Sequence, residues 1–174
     1  MGRCRTIRCL ETLEQWLHAI TPLDAACVLA AMLLIRFSRH AGLWVHALFG
    51  LPGTFAHESA HFIVAFILGA HPSWPSLVPR RTEGGWLLGS VAFRAGYLRK
   101  LPIALAPLAL APLGLWWMAA LLHGAGWPMA GVHAWIAGAL LSASLPSKTD
   151  FLLAWPALAL LAAMALAYVL LRMS

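Results

Sequence analysis

The chain has 174 residues, of which 61% are hydrophobic and only 10% charged, and its mean hydropathy is +0.79. Soluble domains carry about 25% charged residues, so this balance excludes an ordinary soluble domain. It predicts an all-α polytopic membrane protein forming one integral membrane domain over residues 1–174. The formal charge of +6 sits on basic residues that flank apolar segments without forming a stripe. It therefore reads as a topology signal, and no nucleic-acid partner is expected. Cys4, Cys9 and Cys27 are odd in number and lack CxxC spacing, so they suggest neither a disulfide framework nor a thiolate metal site.

Arg3, Arg5 and Arg8 precede Leu10, Leu13, Trp16, Leu17 and Ile20 at helical spacing, so residues 1–20 are expected to form an amphipathic helix on the membrane surface. No small-residue cleavage site follows a compact apolar region, and a removable signal peptide is not expected. A first span is predicted over 22–37, between Pro22 and Arg36. The apolar stretch 41–70 is too long for one straight span. Leu51-Pro52-Gly53-Thr54 should break it, leaving 41–50 as a re-entrant or broken half and Thr54 as the cap of a new helix running to Gly69. Residues 71–100 form the only long polar connection, and Gly84-Gly85 between Ser76-Leu77-Val78 and Trp86 to Phe93 predicts a short membrane-associated β-hairpin.

Further spans are predicted at 101–122, 128–145 and 151–171, giving about five in all. Pro102, Pro107 and Pro112 should kink the first of these. Nine basic residues fall on the side of the N-terminus, the 71–100 loop and Lys148, against Arg36, Arg39 and Arg172 on the other. By the positive-inside rule the N-terminus and the hairpin loop face the cytoplasm, and a bacterial inner (cell) membrane is the expected location.

The chemistry-bearing motif is His57-Glu58-Ser59-Ala60-His61, an HExxH sequence inside an apolar stretch. Four residues nearly complete a helical turn, so His57 and His61 project from one face and can grip one metal ion. Zn²⁺ suits imidazole nitrogen and leaves one position open for water in catalytic sites. Glu58 lies about 100° round the helix, where it can serve as a general base. The bland alternative is two histidines and a glutamate that merely pair, at a high cost for a lone carboxylate at apolar depth.

Zinc with two histidines needs a third protein ligand. Asp150 is the candidate: alone among the six acidic residues it follows a Pro-interrupted turn that leads directly into an apolar helix. Ser147-x-x-Asp150 is also a capping box, and the two roles are compatible. His133, in the fourth span, is an alternative ligand or an oxyanion stabiliser, although a lone intramembrane histidine more often serves as a helix–helix hydrogen bond.

With these residues in place the chain resembles the site-2-protease-like M50 intramembrane metalloproteases, in particular small members without a PDZ domain. The likeness covers roughly residues 50–155. It rests on Phe55-Ala56-His57-Glu58-Ser59-Ala60-His61, the Gly84-Gly85 hairpin, Ala106-Pro107-Leu108 and Leu145-Pro146-Ser147-Lys148-Thr149-Asp150. It implies a zinc-dependent hydrolase that cuts peptide bonds within membranes. His57, His61 and Asp150 would hold the metal and Glu58 would activate water. Better-known members carry Asn-x-x-Pro-x-x-x-x-Asp-Gly around the third ligand, whereas here Ser142 replaces the Asn, the proline is shifted to Pro146 and Phe151 replaces the Gly.

A transmembrane substrate must unwind locally, because its carbonyls are tied up in helical bonds. The hairpin residues Trp86, Leu87, Leu88, Gly89 and Ser90 are expected to receive the unwound segment by strand addition. The partners expected are the lipid bilayer and a membrane protein substrate. The competing class is a non-proteolytic membrane subunit that binds another membrane protein and keeps a structural or vestigial zinc site. A transporter is disfavoured because no inverted repeat is evident.

Overall fold

The computed structural model describes residues 20–82 and 85–173. Nearly all of the amphipathic helix expected over 1–20, and the Gly84 position of the hairpin turn, lie outside them. The described residues are mostly helical, and local sequence sets where each helix starts and stops.

Helix α1, Pro22–Phe37, opens with a capping box: the Thr21 N–H donates to Asp24 Oδ2 at 2.9 Å, and the Asp24 N–H donates to Thr21 Oγ1 at 3.2 Å. Pro22 occupies the first turn, where its missing N–H costs nothing. A 3₁₀ turn, Ser38–Ala41, leads to helix α2, Leu43–Ile67.

The interruption expected at Leu51-Pro52-Gly53-Thr54 does not occur. Helix α2 runs unbroken through Pro52, Thr54 lies within it rather than at a helix start, and 41–50 is no separate half. A proline removes one i→i−4 bond, whereas unwinding would strand several polar backbone groups among apolar side chains, so a continuous helix is the cheaper solution. Beside the proline, the Trp135 indole donates to the Phe49 carbonyl at 2.8 Å. The end of α2 is set by Gly69, whose φ of +64° lets the Ala70 N–H turn back to the Ala65 carbonyl at 2.8 Å.

Beyond Gly69 the chain runs out and back on itself. Strands β1, Arg80–Thr82, and β2, Gly85–Leu87, pair antiparallel with Arg81 opposite Trp86. Ser76 and Ser90 exchange two 3.0 Å backbone bonds, and the Arg94 N–H reaches the Ala70 carbonyl at 2.9 Å. Helix α3, Tyr97–Leu105, passes through a 3₁₀ turn, Ala106–Ala109, into helix α4, Leu110–Trp117, and a π-helical turn, Met118–Leu122. Helices α5, Met129–Ala143, and α6, Lys148–Met173, complete the chain. The stretches Tyr97–Leu122 and Lys148–Leu170 are long and apolar enough to cross a membrane, while Met129–Ala143 is apolar but shorter.

The contacts fall into two units. The first takes the chain up to Gly53 together with Leu110–Ser142, and its core is Val28, Met118, Leu122, Ala134 and Ala137. Here α5 meets α1 at Gly138, where an added Cβ would lie 3.1 Å from Ala31 Cβ, 3.2 Å from the Met32 nitrogen and 3.2 Å from the Val28 carbonyl oxygen. Small residues let two helices approach at this distance. The second unit takes Thr54–Ala109 and the chain from Ala143 onward. Its core joins Ala65, Ala70 and Ile103, and α3 packs against α6, with Ala104 on α3 and Ala154 and Ala157 on α6 all buried.

Because two of the three neighbours of Gly138 are backbone atoms, they cannot move aside. Gly138→Val should therefore destabilise the first unit by about 1–3 kcal/mol, the usual cost of overpacking, with Gly138→Ala milder. Thermal unfolding of the purified variants measures both.

Candidate metal centre

His57 and His61 stand one turn apart on α2 with their rings edge to face, centroids 4.8 Å apart. Each ring is held by a backbone carbonyl. His57 Nδ1 lies 2.7 Å from the Ala143 oxygen, and His61 Nδ1 lies 2.8 Å from the Ile103 oxygen. A carbonyl can only accept, so Nδ1 carries the hydrogen in both rings, and in the neutral form of each ring Nε2 presents a lone pair.

The two carbonyls are available because the helices around them cannot use them fully. Ile103 stands four residues before Pro107, which has no N–H to return. Its oxygen takes only the tighter bond from the Ala106 N–H and keeps capacity for His61. Ala143 ends α5; three residues on, Pro146 has no N–H, and four residues on, the Ser147 N–H is engaged with Asp150.

Asp150 caps α6 and also stands beside the two histidines. As the cap of α6, its Oδ2 accepts from the Ser147 N–H and from the Ser147 hydroxyl, each at 2.7 Å, while its own N–H donates to Ser147 Oγ at 3.2 Å. The same carboxylate meets the histidines, with Oδ2 at 3.3 Å from His57 Nε2 and Oδ1 at 3.2 Å from His61 Nε2. The two Nε2 atoms are 3.2 Å apart.

Three acceptors thus converge on one point, and at least one proton or cation is required between them. Tetrahedral coordination with bonds of about 2.0–2.1 Å sets donor atoms about 3.3–3.4 Å apart. The two Nε2 atoms, 3.2 Å apart, are close to that spacing, and Asp150 brings a different oxygen to each of them, Oδ2 at 3.3 Å from His57 and Oδ1 at 3.2 Å from His61. His57, His61 and Asp150 therefore form a group that could hold a metal ion. The carbonyls behind both rings supply the hydrogen bonds that fix tautomer and orientation in metal-binding histidines.

Glu58, only 8% exposed, faces a cavity of about 460 Å³ that the three ligand residues also line. Of the residues expected to receive a substrate strand, Trp86, Leu88, Gly89 and Ser90 line this cavity, and the side chain of Leu87 lies outside the described residues. His133 is not among the lining residues. It belongs to the first unit, where its ring lies 6.1 Å from that of Trp117.

Sequence reasoning missed the Ala143 and Ile103 carbonyls, and it missed Thr54, Leu145, Thr149 and Leu153 in the cavity wall. The carbonyls left a trace in Pro107 and Pro146, each placed where it strips a helical donor from the carbonyl in question. No family model, no curated protein and no solved structure matches the chain.

Ser147 touches the metal group only through Asp150. Ser147→Ala should weaken metal binding by about 10–100-fold, the usual effect of losing a supporting hydrogen bond behind a ligand, while Asp150→Ala should abolish stoichiometric binding. Titration of metal-stripped protein with Zn²⁺ or Co²⁺ tests both.

Proposed function

We propose that the protein is an intramembrane zinc metalloprotease of the site-2-protease-like M50 type, which it resembles in sequence. The reading rests chiefly on one observation: two Nε2 lone pairs and a carboxylate converge within 3.3 Å of one another beside a buried glutamate on the same cavity. Imidazole nitrogens select against Mg²⁺ and Ca²⁺, which prefer all-oxygen sites, and favour Zn²⁺. When bound, zinc lowers the pKa of water to about 7 and polarises a carbonyl.

The remaining steps belong to the chain. Glu58 accepts the proton of the attacking water and returns it to the leaving amine nitrogen. The apolar cavity wall keeps the carboxylate out of bulk water. The arm from Trp86 to Ser90 is held from one side by its pairing with Arg81 and Ser76, and offers its backbone to an unwound substrate segment. In the bilayer, α1, α2, the Tyr97–Leu122 stretch, α5 and α6 would make about five spans, with the hairpin and the N-terminus on the cytoplasmic side. The basic asymmetry supports that orientation, and a cysteine placed at Thr82 is expected to resist labelling from the outside of intact cells.

The second reading, a non-proteolytic subunit, draws on the departures at Ser142, Pro146 and Phe151. The two part at Glu58, since a structural zinc site has no use for a general base. Glu58→Gln preserves size but cannot take a proton, so it should retain zinc and fold yet fail as completely as His57→Ala in complementing a deletion strain. Full complementation by Glu58→Gln would remove the enzyme assignment.

A further inference from the structure

We infer that Gly89 is the positioning residue for the Glu58 carboxylate, acting as a backbone wall against which that side chain is set. The inference deepens the proteolytic reading and rests on it. A Cβ built on Gly89 would lie 2.7 Å from Glu58 Cγ, 2.8 Å from Oε1 and 3.0 Å from Cδ. Contacts that short do not persist, so any larger residue at 89 must displace something.

The need for glycine here is space and not conformation. Gly89 does not adopt the positive φ seen at Gly42, Gly69 and Gly124, so alanine fits its backbone without strain. The wall is anchored before and after Gly89 along the chain, because Trp86 pairs with Arg81 and Ser90 exchanges two 3.0 Å backbone bonds with Ser76. On the facing side the backbone of Glu58 is fixed in α2 between two histidines that are themselves held by Asp150 and by carbonyls. The softest element left is the Glu58 side chain, with three rotatable bonds. An alanine at 89 therefore turns the carboxylate out of its position and leaves the three metal-binding residues untouched.

This separates positioning from metal holding in one substitution. The hairpin arm that would receive a substrate strand also dictates where the proton acceptor stands, so strand docking and proton transfer share one structural element.

The test is a double-mutant cycle on the full-length protein, comparing wild type, Gly89→Ala, Glu58→Ala and the double variant for zinc content, thermal unfolding and complementation. Gly89→Ala should keep one zinc, lose activity on the order of 10²-fold, as expected for a reacting group misplaced by about 1 Å, and unfold several degrees below wild type. Glu58→Ala deletes all three atoms that the new Cβ meets, so Gly89→Ala should cost little or no stability in that background. An equal loss of stability in both backgrounds, or full activity of Gly89→Ala, would overturn the inference. If Gly89→Ala does not accumulate, recovery of folded protein in the double variant supports the contact, and its failure to recover overturns it. The two readings fail separately. Coupling with a fully active Glu58→Gln removes the protease assignment, whereas an inactive Glu58→Gln without coupling removes the role of Gly89.

Discussion

Two backbone carbonyls decide which nitrogen of each histidine faces the cavity, and the site depends on that choice. A histidine free to rotate or to exchange tautomers would offer its lone pair in several directions. The Ala143 and Ile103 oxygens remove this freedom by taking the Nδ1 hydrogens at 2.7 and 2.8 Å. Pro107 denies Ile103 its i+4 donor, and at Ala143, the end of α5, Pro146 offers no i+3 donor while the Ser147 N–H is taken by Asp150. The prolines in this apolar chain are therefore more than breaks in helices. Two of them help leave a carbonyl oxygen available to a histidine.

Low polarity makes every such group costly to leave unmatched. Glu58, His61 and Asp150 are each less than a tenth exposed. The histidines have carbonyls on one side and Asp150 on the other, and Asp150 has Ser147. The remaining deficit is positive charge, because the groups that meet at the centre are all acceptors. A buried polar network with such a deficit is destabilising as it stands. A proton on one Nε2, or a cation held by the group, makes up that deficit.

Legibility in the sequence followed the range of the interaction. The i, i+4 spacing of His57 and His61 and the i, i+3 spacing of Ser147 and Asp150 are local, and the structure realises both as same-face and cap geometry. Gly69 as the end of α2 is likewise a one-residue requirement for positive φ. The break expected at Pro52 does not occur because a local rule met a non-local condition: one lost backbone bond costs less than unwinding an otherwise continuous apolar helix. The carbonyl partners of the histidines are 86 and 42 residues away along the chain, beyond any pattern of spacing. Gly89 was legible as a strand position but not as a neighbour of Glu58, since glycine shows its contact only through what cannot replace it.

The double duty of Asp150 has a thermodynamic consequence. Its Oδ2 accepts two bonds from Ser147 and faces His57, while Oδ1 faces His61. The carboxylate at the start of α6 is stabilised by the cap and by the helix dipole. Those donors withdraw some electron density from the oxygens but hold them at fixed angles, so orientation is gained at some expense in ligand strength. Formation of the first turn of α6 and assembly of the metal group are then one event, because neither Ser147 nor the histidines can be satisfied by an Asp150 that points elsewhere. A cation that binds the assembled group and not the unfolded chain therefore stabilises the start of α6 by mass action. The start of α6 and the His57–His61–Asp150 group share one residue, so a cation held there would be coupled to the local folding of that helix.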